Sequence, residues 1–412
     1  MTPRALDRLV QAALGDLDLR ARVREALGRA RLRGPVRMIA IGKAAPAMAR
    51  GALDALGAAT SDVLVVTSDD ADVAPLSSTS RAVSVLRAAH PLPDARSVAA
   101  GRAALSLAGA HGGTLLVLVS GGASSLVCAP ARGLTRANKA AVARAMLRSG
   151  ADVRQINVVR RHLSAIKGGG LVRAAHPDRV VTLVASDVIG GSPVDVGSGP
   201  SVPDPTTVLD ARRLLRRFAP EHAAVSLSAT LSPHDPRARS ASRACVVAAP
   251  EELARRAAVR LRATGLRVRV LPPTVEHVED VAEEVLGWLA RAEPGTAWVR
   301  AAEPGVHVPP GAGRGRGGRS THLAALVARG LASAAPSRPV LFAAVATDGV
   351  DGTSGTSGAI VEPRTAERLG PRALEAALAR FDTGPLLVRA GAALPPRPTT
   401  TNLADLHVLV VG

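Results

Sequence analysis

Two kinds of hydrophobic pattern alternate along this chain. Short, nearly continuous apolar runs occupy 36–41, 62–67, 114–119 and 180–185. Between them, at 44–57, 97–108, 135–149 and 206–218, apolar positions recur at helical spacing. Continuous apolar runs closed by turn residues suit strands buried on both faces, and their alternation with helices predicts a parallel sheet covered on each side. The pattern starts again with strands at 244–249, 266–271, 297–301, 340–346 and 407–411. Helical stretches lie at 251–264, 275–292, up to 331, and near 371–381, and amphipathic helices are expected over 3–32. The polar, proline-punctuated stretch 219–241 is read as a linker, which divides the chain into domains 1–235 and 236–412. The predicted class is α/β.

In parallel sheets ligands bind outside the carboxyl ends of the strands. The polar and glycine-rich loops fall at those ends: Gly42–Lys43, the SGGASS loop from Ser120, Ser186–Asp187 and Thr347–Asp348–Gly349. The SGGASS loop, with Gly121, Gly122 and Ser124, offers backbone amides and hydroxyls to an anion, or is simply a tight strand-to-helix turn. Asp187 and Asp348 end apolar runs, and Asp351 follows three residues later. Such carboxylates are candidates for a magnesium ion or a general base, or they cap loops.

Composition changes the picture in one place. Only three of the 52 basic residues are lysine: Lys43, Lys139 and Lys167. Two of them stand against glycine, in Gly42–Lys43 and in Lys167–Gly168–Gly169. A compact ammonium beside a close-approach backbone suits a phosphate, whereas basic helix ends capped by glycine give the same pattern without a ligand. Tyrosine is absent, and three Phe and two Trp are the only aromatics, so the cores must be aliphatic. The net charge of +18 comes from arginines spread along the whole chain, which favours small anionic substrates over a nucleic-acid partner. Two isolated cysteines, Cys128 and Cys245, fit a reduced, cytoplasmic setting. No apolar run reaches the length of a membrane span.

Gly313, Gly315 and Gly318 satisfy G-x-G-x-x-G, but prolines stand where the preceding strand should end. The same stretch resembles an arginine–glycine RNA box, although aromatics for base stacking are missing.

Together the motifs are more specific than any one of them. IGKAAPAMA from Ile41, HPLPDARS from His90, VSGGASSLV from Val119 and INVVRRHLSAIKGGGL from Ile156 come first. SDVIGGSPVDVGSGPSVPDPTT from Ser186, GRGGR from Gly315 and ATDGVDGTSGTSGAIV from Ala346 follow. In this order they resemble the signature blocks of the glycerate 2-kinase family, whose C-terminal part, about 297–412 here, is a MOFRL region. The resemblance implies two Rossmann-like three-layer α/β/α domains with mostly parallel sheets and an interdomain cleft. It implies transfer of phosphate from ATP, with Mg²⁺, to the 2-hydroxyl of D-glycerate, with Lys43 and Arg319 at the transferring phosphoryl group.

On that reading Asp187 holds magnesium or accepts the hydroxyl proton, with Asp348 and Asp351 as further metal ligands. Ser120, Gly121, Gly122, Ser124, Lys167, Gly168 and Gly169 hold phosphates. Arg160, Arg161 and His162 hold the substrate carboxylate. A homodimer is left open. Relatives often carry the name hydroxypyruvate reductase, so an NAD(P)-dependent reductase and an impaired anion- or nucleic-acid-binding relative stay open as alternatives. Two departures stand out. Gly191–Ser192 replaces a usual acidic pair, and Gly170 replaces an arginine.

Overall fold

The structure is a computed structural model that describes residues 1–412 except 31, 33, 78–82, 176–178, 241–243, 310–314, 398 and 400–401. The motif glycine at 313 therefore lies outside the described residues. The chain forms two compact units, one of Leu19–Ser186 with Gly191–Val247, the other of Met1–Asp18, Asp187–Gly190 and Ala248–Gly412.

The first sheet contains β1 Val36–Ile41, β2 Thr60–Ser68, β3 Val83–Ala88, β4 Thr114–Val119, β5 Arg179–Ala185 and β6 Cys245–Ala248, in the order β3-β2-β1-β4-β5-β6. The pairings β1/β2, β1/β4, β2/β3 and β4/β5 are parallel. Strands β1 and β4 are buried along their whole length, as their unbroken apolar runs require. This is the dinucleotide-fold order, and its switch point lies between β1 and β4, where successive crossovers leave on opposite faces. The stretch 219–241 is no loose tether at its centre. Leu231 is fully buried, and its amide donates to Gly168 O at 2.8 Å.

The second sheet contains β7 Arg267–Val270, β8 Thr296–Ala302, β9 Val340–Ala346, β10 Gly358–Val361, β11 Ala393–Leu394 and β12 Asp405–Val411, in the order β11-β10-β9-β12-β8-β7. Strands β7, β8, β9 and β11 share one direction, while β10 and β12 oppose them, so most neighbouring pairs are antiparallel. The apolar run of β12 is buried throughout and pairs on both edges, and burial on two faces looks the same in sequence whichever way a strand runs. Its core is aliphatic around an aromatic centre, in which Trp298 packs edge-on against Trp288 (6.0 Å) and Phe342 (6.3 Å). Among the described residues no helix is long and apolar enough to cross a membrane.

Candidate active site

At the switch point of the first sheet, the turns after β1 and β4 are tied together backbone to backbone. The Ser120 amide donates to Ile41 O (2.9 Å), the Lys43 amide to Gly121 O (2.9 Å) and the Ala44 amide to Ser120 Oγ (3.1 Å). Gly42 has φ +133°, and a Cβ there would lie 2.1 Å from Ser120 Oγ, so only glycine lets the two turns close. Gly122, at φ +82°, makes room in the other direction. A Cβ on it would meet His90 Cδ2 at 3.1 Å and Lys43 Cγ at 3.3 Å. Among the described residues the amides of Gly121 and Gly122 donate to no backbone carbonyl outside regular elements, which leaves an anion cradle beside Lys43.

Asp70 joins this corner, although the sequence reading passed it over. The neighbouring Ser68 hydroxyl holds its carboxyl below the usual value, burial opposes this, and the Lys43 and His90 charges assist it. The signal was present in the sequence, since Asp70 follows the carboxyl end of β2 as Asp187 follows that of β5.

Two residues further along the same loop, Ser124 is a hub. Its Oγ accepts from Lys167 Nζ (2.5 Å) and from Arg160 Nη2 (2.9 Å) and lies 3.1 Å from Ser198 Oγ. Lys167 Nζ also donates to Ser124 O (3.0 Å) and Gly197 O (3.3 Å). Burial pushes the Lys167 ammonium well below its ordinary pKa, and the neighbouring Arg160 and Lys139 charges push the same way. Arg160 is lowered by burial too.

The rest of the Lys167 segment does other work. Arg161 Nε donates to Asp204 Oδ2 at 3.0 Å, and both side chains are buried. His162 is fully buried, between Ser228 O (2.9 Å) and Thr206 Oγ1 (3.3 Å). Asp204 completes the knot by accepting from the amide and hydroxyl of Thr206. Of the three residues expected on the substrate carboxylate, Arg161 and His162 are thus bound into the fold, and only Arg160 reaches the hub. The expectation for Gly168 and Gly169 is corrected in the same way. Their amides already donate to Ser198 O (3.0 Å) and Gly199 O (2.8 Å), so they have nothing left for a phosphate. A Cβ at Gly169 would fall 2.4 Å from Leu231 Cβ, and one at Gly168 2.6 Å from Thr230 Cγ2, so packing requires both glycines. At Gly170 a Cβ would lie 2.2 Å from Ala165 O, so this turn as built has no room for an arginine.

In the second unit, Arg319 opens the helix Arg319–Ala334 and is held by carboxylates. It meets Asp405 at 3.1 Å and Glu303 at 3.1 Å. Burial works to lower its pKa, but Asp405 and Glu303 outweigh it and raise the guanidinium above its ordinary value. Burial lifts Asp405 to about 7 against the pull of Arg319, with Asp351, Glu303 and Asp348 adding to the rise.

Asp351 caps the same helix, accepting from the amides of Ser320 (3.0 Å) and Thr321 (2.8 Å). Each of its oxygens accepts one amide proton, which is the work of a helix cap. Burial raises its carboxyl above the usual range. Asp348 Oδ1 accepts from the Val350 amide (3.3 Å), and Asp187 Oδ2 accepts from Asn402 Nδ2 (3.3 Å). Among the described residues no group of three or more His, Cys, Asp or Glu side chains is placed to hold a metal ion. The trio Asp187, Asp348 and Asp351 is not assembled as a cage.

The chain resembles known proteins over most of its length. Residues 5–232 match the family model described as "Domain of unknown function (DUF4147)", and residues 296–405 match the MOFRL family. The chain is 30 % identical to the D-glycerate 2-kinase of Thermotoga maritima over 90 % of its own length and 89 % of that protein. It is 33 % identical to an Agrobacterium vitis protein that carries a hydroxypyruvate reductase name, over 99 % of its own length and 94 % of the other. A solved glycerate kinase from Thermotoga maritima superposes with a TM-score of 0.85 at 27 % sequence identity, covering 99 % of this chain and 98 % of that one. The first model alone spans more than half the chain. The chain belongs to the glycerate 2-kinase family, the two-domain group with a C-terminal MOFRL region.

Proposed function

We propose that this protein transfers the γ-phosphoryl group of ATP to the 2-hydroxyl of D-glycerate, giving 2-phospho-D-glycerate and ADP. The observation that carries the reading is the Ser120–Ser124 loop, where unspent amides, Lys43, Lys167 and Arg160 meet at the switch point of a dinucleotide-type sheet. The kinase names of relatives matched over most of the chain support it. Phosphoryl transfer asks a protein for positioning and charge neutralisation more than for covalent chemistry.

The C2 hydroxyl oxygen forms the new bond to the γ-phosphorus. The bond to the β,γ-bridging oxygen breaks and ADP leaves, while the hydroxyl proton passes to a carboxylate, for which Asp187 is our choice. Lys43 and the Gly121 and Gly122 amides take phosphate oxygens. Arg319 neutralises charge that grows on the transferring group. Ser124, Lys167 and Arg160 take a second anionic group. Magnesium would supply neutralisation of the phosphate oxygens. Asp348 would hold such an ion, as would Asp187 if it does not take the proton. We place the protein in the cytoplasm on its two unpaired cysteines.

The test is an ATP and D-glycerate assay coupled to enolase, with and without phosphoglycerate mutase. Signal without the mutase establishes the 2-phosphate, and signal only with it moves the product to the 3-phosphate. Oxidation of NADH by hydroxypyruvate without ATP consumption would replace the kinase reading with the reductase.

A further inference from the structure

Lys139 has no role in any of the chemistry above. It lies on the helix Arg136–Arg148, and its ammonium nitrogen is buried with no hydrogen-bond partner among the described residues. Burial lowers its pKa to about 8, and the charges it feels are Cys128 and Arg160. Lys167 in turn feels Arg160, Lys139, Cys128 and Arg161, and Arg160 feels Cys128. No carboxylate stands among these charges. The acids that face Arg161 are spent elsewhere, Asp204 on Arg161 and Thr206 and Asp195 on Ser192.

Arg160, from the helix Val153–His162, and Lys167, from the loop after it, meet at Ser124 Oγ, and the helix Arg136–Arg148 brings the buried Lys139 within reach of their charges. A buried charge without a partner costs far more than its ordinary structural use returns, and crowding like charges adds to the cost. Chains tolerate such a spot when a ligand supplies the missing charge. Arg160 and Ser124 are only half-buried, so the spot is open to a small anion on their side.

We propose that Lys139, Arg160 and Lys167 form, with Ser124 and Ser198, a subsite for a single oxyanion group, with Lys139 as its third cation. The group is a carboxylate, as on the acceptor, or a phosphate, as on the nucleotide. The subsite rests on the kinase reading only for the names of those two sources. Its chemistry is independent of turnover. One oxyanion bound between three cations also explains why two of the three lysines in an arginine-rich chain occur here. A compact ammonium can approach a small anion that three planar guanidinium groups would crowd.

Melting temperature is the readout, measured for wild type, Lys139→Met and Arg160→Met with D-glycerate, inorganic phosphate and ATP added singly. At least one of the three probes raises the wild-type Tm, and both variants bind that probe at least tenfold more weakly. Without ligand, Lys139→Met melts no lower than wild type, because an unpartnered ammonium has gone. A purely structural lysine would give the reverse, a lower Tm with the shift intact. Response to D-glycerate identifies the carboxylate, and response to phosphate or ATP identifies the phosphate. The proposal is overturned if no probe moves the wild type, or if Lys139→Met keeps the full shift. Lys139→Gln repeats the comparison should the methionine variant fail to fold. These shifts need no turnover, so failure of the enolase-coupled assay would leave them readable.

Discussion

The Ser124 hub and the Arg319 hub are built from the same residue types in opposite proportion. Around Ser124, Lys167 and Arg160 share one hydroxyl, Lys139 stands near them without a partner, and among the described residues no carboxylate joins them. Around Arg319, a single guanidinium stands among Glu303, Asp348, Asp351 and Asp405. Burial therefore acts in opposite directions, lowering the ammonium pKa values in the first and raising the carboxyl pKa values in the second. With 52 Lys and Arg and 34 Asp and Glu, the chain holds groups of either sign that could have balanced these spots. Each imbalance has the sign a reactant would correct. The first lacks an anion, and the second lacks a cation or a proton.

The largest effect should come from Asp187→Asn. If its carboxylate takes the hydroxyl proton, turnover falls by about 1000-fold, within the range for a lost general base. An active variant with normal pH dependence would move that role elsewhere in the acidic hub. Lys43→Ala should lower kcat by about 100-fold with an unchanged melting temperature, as for loss of one transition-state charge. A change confined to KM would make Lys43 a binding group and blur its distinction from the Ser124 cations. Arg319→Ala should lower kcat by more than about tenfold. Because the same variant strips Asp405 of its counter-charge, Asp405 should then keep its proton to higher pH, which titration followed by NMR would show. Unchanged kinetics in both Lys43→Ala and Arg319→Ala would sink the assignment of roles.

Two smaller effects test the contrast in sign directly. Asp405 has a folded value of about 7 against an ordinary 3.8, so the folded state holds a proton that the unfolded chain releases. Its contribution to stability is complete below about pH 4 and is lost as pH rises through 7. Asp405→Asn should flatten the stability profile across that window. Lys139 behaves oppositely, with a folded value of about 8 against 10.5, so the unfolded chain binds the extra proton. Stability of the ligand-free protein should rise between about pH 8 and 10.5, and Lys139→Met should remove that rise. The first measurement is a urea titration at fixed pH steps from 4 to 7, the second the same from 8 to 10.5. Parallel profiles for wild type and variant in either window would break the comparison.

The sequence made the first sheet legible because its strands are buried on both faces and alternate with amphipathic helices. The turns after β1 and β4 were legible as well, since only glycine permits the contacts at Gly42 and Gly122. Lys139 was overlooked although the argument from rare lysine applied to it equally. It has no glycine beside it, and helix packing alone brings it to Lys167. Gly168 and Gly169 misled in the other direction. Their spacing after a lysine looks the same whether their amides face a phosphate or, as here, the carbonyls of Ser198 and Gly199.

The residues themselves determined the class of the fold, the loops that carry chemistry and the family to which those loops belong. These depend on local periodicity and on residue types whose uses are few. Tertiary structure alone decided which charges are spent. Asp204 claims Arg161, the helix amides claim Asp351, and among the described residues no carboxylate reaches Lys139. The availability of a charge depends on what lies within about 4 Å of it, and such neighbours come from segments far apart in the chain.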